Sequence, residues 1–162
     1  MKKTDKTYVV ATCSEEDTIK IGKILASVFE NRVIAVCGEL GAGKTHLAKG
    51  IAQGMGITRH ITSPTFNILN IYKEDNKVFY HMDAYRLTDE ENAYDVGIED
   101  ILEPEGITLI EWAENIIDVL PQGYVRIYIE KCEDENKRLL FITADKESID
   151  RMAIRIYEDT SR

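Results

Sequence analysis

The segment Gly38-Glu39-Leu40-Gly41-Ala42-Gly43-Lys44-Thr45 has the spacing G-x-x-x-x-G-K-[ST], which holds a polyphosphate. Glycines let the backbone curl until successive N–H groups point inward at phosphate oxygens. A helix that follows turns its positive end to the same anion. Glu39, Leu40, Gly41, Ala42, Gly43, Lys44 and Thr45 are therefore candidate nucleotide contacts. Lys44 can reach the β- and γ-phosphates, and the Thr45 hydroxyl can ligate Mg²⁺. A glycine-rich turn that matches by chance is the bland alternative.

Hydrolysis needs more than a phosphate cradle: a carboxylate to hold metal and a group to position water. Asp83 ends the apolar-aromatic segment VFYHMD, where a metal-holding aspartate belongs; a strand-end Asp capping the next turn is the alternative. Glu111 ends ITLIE in the same manner, and open α/β sheets gather their ligands at that edge. It can hold metal through water or act as general base, against the reading of a solvated loop acid. Thr62-Ser63-Pro64-Thr65-Phe66 offers hydroxyls that could sense a γ-phosphate, or a plain Ser-Pro turn. Arg86 reads as a partner in a structural ion pair with a nearby carboxylate, with a contact to phosphate as the alternative. Trp112 reads as core by default, with a lid or partner contact as alternatives. His46, His60 and His81 lack metal-ligand spacing and read as structural. Asn76-Lys77-Val78-Phe79 fails the guanine-reading pattern Asn-Lys-x-Asp at its last position, which favours ATP over GTP.

These residues need strands and helices to bring them together. YVVAT (Tyr8 to Thr12) reads as a strand, and Ser14 with Asp17 as a helix start before Ile21, Leu25 and Val28 at helical spacing. RVIAVC is a continuous apolar run, as in a strand covered on both faces. A helix from about Lys44 to Met55 should stop at Gly54 and Gly56. FNILNIY and KVFYHMD flank the polar cluster KEDN and suggest a hairpin. ENAYDVGIEDILEPEG reads as short helical pieces and loop, ITLIEW as a buried strand, YVRIYIEKC and KRLLFITA as a second hairpin. Ile149, Met152, Ala153 and Ile156 share one face of a terminal helix. The expected fold is α/β: a single-domain P-loop NTPase over residues 1–162, with a central mixed β-sheet flanked by helices.

Composition agrees with that class. The chain has 162 residues, 44% hydrophobic and 30% charged, which suits a globular domain with a real core. No apolar run is long enough to span a membrane, and MKKTDKTYVV does not read as a signal peptide. A net charge of -9 disfavours tight, direct nucleic-acid binding. Cys13, Cys37 and Cys132 show no CxxC spacing; Cys37 lies in an apolar run and Cys132 follows another, so buried thiols and a reducing cytoplasm are expected.

Taken in series, GELGAGKT, SPTF, HMDAYRL, GIEDIL and LIEW resemble the bacterial TsaE family, the ATPase of tRNA threonylcarbamoyladenosine biosynthesis. The resemblance implies weak ATP hydrolysis, with ATP and Mg²⁺ as cofactors, in a complex with TsaB and TsaD. Those partners form t6A37 in tRNAs reading ANN codons, so tRNA is met only indirectly and no membrane is involved. It places the family's functional lysine and threonine on Lys44 and Thr45. Its metal- and hydrolysis-associated acids fall on Asp83 and Glu111, its switch-like threonine on Thr65, and an adenine-side contact on Glu15. His46 stands among the nucleotide contacts where a second threonine is common, and Ala113 where proline often follows the tryptophan. A small-molecule P-loop kinase, or a nucleotide-dependent binding module without significant hydrolysis, are the competing readings.

Overall fold

The protein is described here by a computed structural model covering residues 4–102 and 105–162. Its strands are β1 (Asp5–Thr12), β2 (Val33–Gly38), β3 (Leu69–Glu74), β4 (Lys77–Asp83), β5 (Ile107–Glu111), β6 (Val125–Lys131) and β7 (Arg138–Asp145). The α-helices are α1 (Glu15–Val28), α2 (Lys44–Gly54), α3 (Glu90–Asp95) and α4 (Lys146–Thr160). One seven-stranded sheet runs β1-β7-β6-β2-β5-β4-β3. β6, β2, β5 and β4 are mutually parallel, and antiparallel pairing adds β7 and β1 on one side and β3 on the other. The expected mixed sheet flanked by helices is therefore present.

The apolar run of β2 follows from its central place. Ile34 and Val36 face the core shared with α1, α2 and α4, while Val33, Ala35 and Cys37 face the opposite core with Met82, Ile98 and Ile116. Every residue of β2 is buried, as a strand covered on both faces requires. The helix α1 begins as expected: Ser14 Oγ accepts from the Asp17 N–H, and Asp17 Oδ2 accepts from the Cys13 N–H. Helix α4 buries Ile149, Met152 and Ile156, with Ala153 at the edge of that face.

α1 and α2 touch at backbone distance. A Cβ at Gly50 would stand 2.1 Å from the Ile19 carbonyl oxygen, and one at Gly22 2.6 Å from the Leu47 oxygen. This contact locks the helix that follows the glycine turn against the rest of the core.

Two expectations are corrected. The first hairpin strand starts at Leu69, not Phe66. A turn led by Pro64 takes the backbone donors first: Ile68 N–H donates to the Pro64 oxygen at 2.7 Å, and Leu69 N–H to the Asn67 oxygen at 2.7 Å. Ile68 has φ +66° and Phe66 is 85% exposed, so the regular strand stops short of them, although the Ile68 oxygen still accepts from the Asp83 N–H at 2.8 Å. The thiols also differ, for Cys37 is buried, Cys132 half-buried and Cys13 exposed. The segment after α3 forms a short 3-10 turn at Ile98–Ile101, and Glu103 and Pro104 of the expected loop lie outside the described residues.

Candidate functional site

The glycine turn joins the end of β2 to the start of α2. Gly38, Gly41 and Gly43 take φ values of +149°, +75° and +108°, a backbone path that side-chain-bearing residues resist. Gly43 is the N-cap of α2, so no side chain caps the first turn, and no acidic residue stands in that turn. A helix start of this kind leaves its leading N–H groups without a side-chain cap and can accept an anion.

A cleft of about 320 Å³ opens over this turn. Leu40, Gly41, Ala42, Gly43, Lys44, Thr45, His46, Thr65, Asp83, Glu111 and Glu15 all line it. Of the sequence candidates only Glu39 is absent from the lining; its carbonyl oxygen points back into the loop, accepting from Ala42 N–H at 3.1 Å and from Lys44 Nζ at 2.8 Å. Lys44 Nζ also donates to the Gly38 oxygen and lies 4.0 Å from the centre of the Trp112 ring. Burial holds the Lys44 ammonium below its ordinary value of 10.5, opposed by the negative charges of Glu111, Glu114 and Asp83.

The two acids reach the cleft on neighbouring strands, and both are buried. Glu111 is 3% exposed, which removes the reading of a solvated loop acid. Its Oε1 accepts from the Thr45 hydroxyl at 3.3 Å and contacts His81 Nε2 at 2.7 Å. Asp83 does two things at once. Its Oδ1 accepts from the Tyr85 N–H at 2.9 Å, capping the next turn as the alternative reading expected. Its Oδ2 faces the Thr65 hydroxyl at 3.4 Å, which is itself 2.8 Å from Ser63 Oγ.

This donor set suits a magnesium ion. A hydroxyl and carboxylates are hard oxygens, and Mg²⁺ fills the rest of its octahedron from waters and phosphates. Among the described residues no group of three or more His, Cys, Asp or Glu is arranged to hold a metal unaided.

Two residues, Arg86 and Trp112, stand apart from their sequence reading. Arg86 makes no ion pair among the described residues; it is exposed and lies 5.7 Å from the centre of the Phe66 ring. Trp112 is half-buried rather than core, packs on Tyr85 at 5.0 Å and lines the cleft. Its φ of +55° is unusual for a bulky side chain and marks a locally strained turn. His46 sits 3.3 Å from Glu15, so these two nucleotide candidates lie together at the α1 side of the cleft.

Sequence reasoning missed the β6–β7 side. Arg138 donates through Nε to the Ala42 oxygen at 3.0 Å and through a terminal nitrogen to the Gly41 oxygen at 3.3 Å. With Glu135 and Asn136 it lines the cleft. By holding those two carbonyls it braces the turn from the β7 side. No local signal links position 138 to positions 41 and 42. For His81 a signal existed, since period-two alternation places it on the same face of β4 as Asp83.

The family described as "Threonylcarbamoyl adenosine biosynthesis protein TsaE" matches residues 12–140. The chain is 39% identical over 131 residues to the tRNA threonylcarbamoyladenosine biosynthesis protein TsaE of Bacillus subtilis, covering 80% of this chain and 82% of that protein. It is 41% identical over 138 residues to the protein of that name from Rickettsia felis, covering 83% and 80% respectively. The crystal structure of Bacillus subtilis YdiB superposes with a TM-score of 0.79 at 30% identity, over 98% of this chain and 99% of that one. With the family matched over most of its length and the fold matched over nearly all of it, the chain belongs to the TsaE family, which serves threonylcarbamoyladenosine biosynthesis.

Proposed function

We propose that the chain binds Mg·ATP in this cleft and hydrolyses it slowly, driving turnover of a TsaB–TsaD complex that forms t6A37 in tRNA. The observation that carries the reading is the convergence, around one curled glycine turn, of Lys44, Thr45, Asp83 and Glu111 from three parallel strand ends.

In this reading the loop N–H groups and the α2 N-terminus hold the phosphates. Lys44 exchanges its bonds to the Gly38 and Glu39 oxygens for phosphate oxygens, so binding energy goes into loop rearrangement as well as affinity. Bound magnesium would offset charge on the β- and γ-phosphate oxygens. The Thr45 hydroxyl donates a hydrogen bond to Glu111, which leaves its lone pairs for a cation. Asp83 would help hold the cation, and its bond from Thr65 gives a route by which loss of the γ-phosphate would loosen the Ser63–Phe66 turn. An acidic chain of net charge -9 suits work on a protein partner better than a grip on tRNA.

Phosphate release, measured with and without purified TsaB and TsaD homologues, tests the proposal. Stimulation by those proteins is expected. A rebuilt modification system should stall after one or few rounds when Lys44→Ala or Glu111→Ala replaces the native chain. Stimulation by a metabolite that becomes phosphorylated would instead make it a kinase, and unchanged multiple turnover by the variants would refute the coupling.

A further inference from the structure

His81 lies two residues before the end of β4 with no solvent exposure, its ring stacked on Phe79 at 5.8 Å between centres. A leucine or phenylalanine would fill such a slot without difficulty. The imidazole instead leaves Nδ1 buried with no hydrogen-bond partner. Buried polar atoms are nearly always paired, so an orphan nitrogen calls for a reason. The other ring nitrogen supplies it: Nε2 is 2.7 Å from Glu111 Oε1, a residue 3% exposed.

The partners assign the ring proton. A carboxylate oxygen only accepts, so Nε2 must donate; a proton on Nδ1 would have nowhere to go. Glu111 Oε1 thus receives two donors, His81 from the sheet and the Thr45 hydroxyl from α2. Two donors on one oxygen stop the carboxylate from rotating and leave Oε2 as its free oxygen.

We propose that His81 is the positioning residue for Glu111: its Nε2–H clamps Oε1 so that the carboxylate keeps hold of Thr45 while Oε2 is presented to cation-bound or attacking water. His81 touches neither nucleotide nor metal in this arrangement and acts only through Glu111. The inference rests on the reading of the cleft as a Mg·ATP site, and it makes histidine at this position a matter of donor geometry rather than of packing.

The test is a set of His81 variants compared by calorimetry of ADP binding across a magnesium series, and by partner-stimulated phosphate release. Glutamine carries its amide nitrogen as far from Cα as Nε2 lies, so His81→Gln keeps the donor. His81→Asn stops short at the Nδ1 position, and His81→Leu has no donor. Loss of such outer support costs about 10–100-fold in metal affinity or activity in comparable sites. We expect His81→Asn and His81→Leu to need about tenfold more Mg²⁺ for half-maximal tightening of ADP binding. Their kcat should fall by at least as much while KM for ATP moves less than about threefold, and His81→Gln should restore most of both. Equal impairment of Gln and Leu, or no change in any variant, would overturn the proposal. A long-range nitrogen-15 spectrum of the wild-type protein, which needs no variant to fold, should show Nε2 protonated and Nδ1 bare; the opposite tautomer also overturns it. If wild-type protein binds no Mg·ADP, the nucleotide reading fails, whereas normal wild-type binding with flat variants fails the His81 inference alone.

Discussion

Asp83 and Glu111 are register partners, the last residues of the adjacent parallel strands β4 and β5, and both are buried beneath one cleft. Their hydrogen bonds divide the work between them. Glu111 is tied to α2 through Thr45, and Asp83 to the Pro64 turn through Thr65. A cation between them would link the helix, the turn and the sheet.

Asp83→Asn separates the charge of this residue from its turn. Asparagine can still accept from the Tyr85 N–H through Oδ1, so the fold should hold and the thermal midpoint should change little. Removing the negative charge should weaken Mg²⁺-dependent ADP binding about tenfold or more. Calorimetry with and without magnesium checks this; equal loss in both conditions would contradict a metal role.

Lys44→Ala should lower partner-stimulated hydrolysis on the order of a hundredfold or more, the scale of losing a preorganised charge at a transition state. Stability should not suffer comparably, because the buried ammonium is held below its ordinary value by burial first of all. Denaturant titration beside a phosphate-release assay separates the two effects.

Gly50→Ala tests the contact between α1 and α2. Alanine favours a helix interior over glycine by about 1 kcal/mol. Its Cβ would meet the Ile19 carbonyl oxygen at 2.1 Å, a backbone clash no rotamer relieves. Overpacking of this kind costs about 1–3 kcal/mol, so a net loss of stability is expected in urea unfolding. A stabilised variant would mean that α1 can move away.

Acid should uncover the Asp145 carboxylate. Burial, the largest influence, pushes its value up, but hydrogen bonds from Ser148 and Arg32 together outweigh it and leave it below the ordinary 3.8. A lowered folded value means stability that is present above pH 3.8 and lost as pH falls through the folded value. Asparagine also caps helices well, so Asp145→Asn should keep the Ser148 bond while flattening the acid limb of a stability–pH curve below about pH 4. The side chain is 42% exposed, so solvent screening keeps the effect small.

The thiols should react in order of access. Burial chiefly, with Glu114 adding to it, pushes Cys37 up to about 12, and the residue is 4% exposed. A thiol probe at pH 8 should label Cys13 in the folded protein and reach Cys37 only after unfolding, as read by mass spectrometry. Fast labelling of Cys37 would show that β2 opens locally.

Much of the fold was legible because its signals are local. Apolar runs marked β2 and β5, Ser14 and Asp17 marked the start of α1, and the glycine spacing marked the turn into α2. Phe66 to Ile68 misled because their composition suits a strand, while the Pro64 turn claims their hydrogen bonds. Arg86 misled because a cation suggests a carboxylate partner, and the fold offers it the Phe66 ring.

The sequence by itself determined the glycine turn, its strand–helix setting and the two strand-end acids, because backbone conformation and apolar runs are written in neighbouring residues. Only the tertiary structure decided that Glu111 is shared by Thr45 and His81, that Arg138 grips the turn from β7, and that Trp112 covers Lys44. Those contacts join residues far apart in the chain, and their geometry exists only once the strands have settled into the order β6-β2-β5-β4 and closed the cleft above their ends.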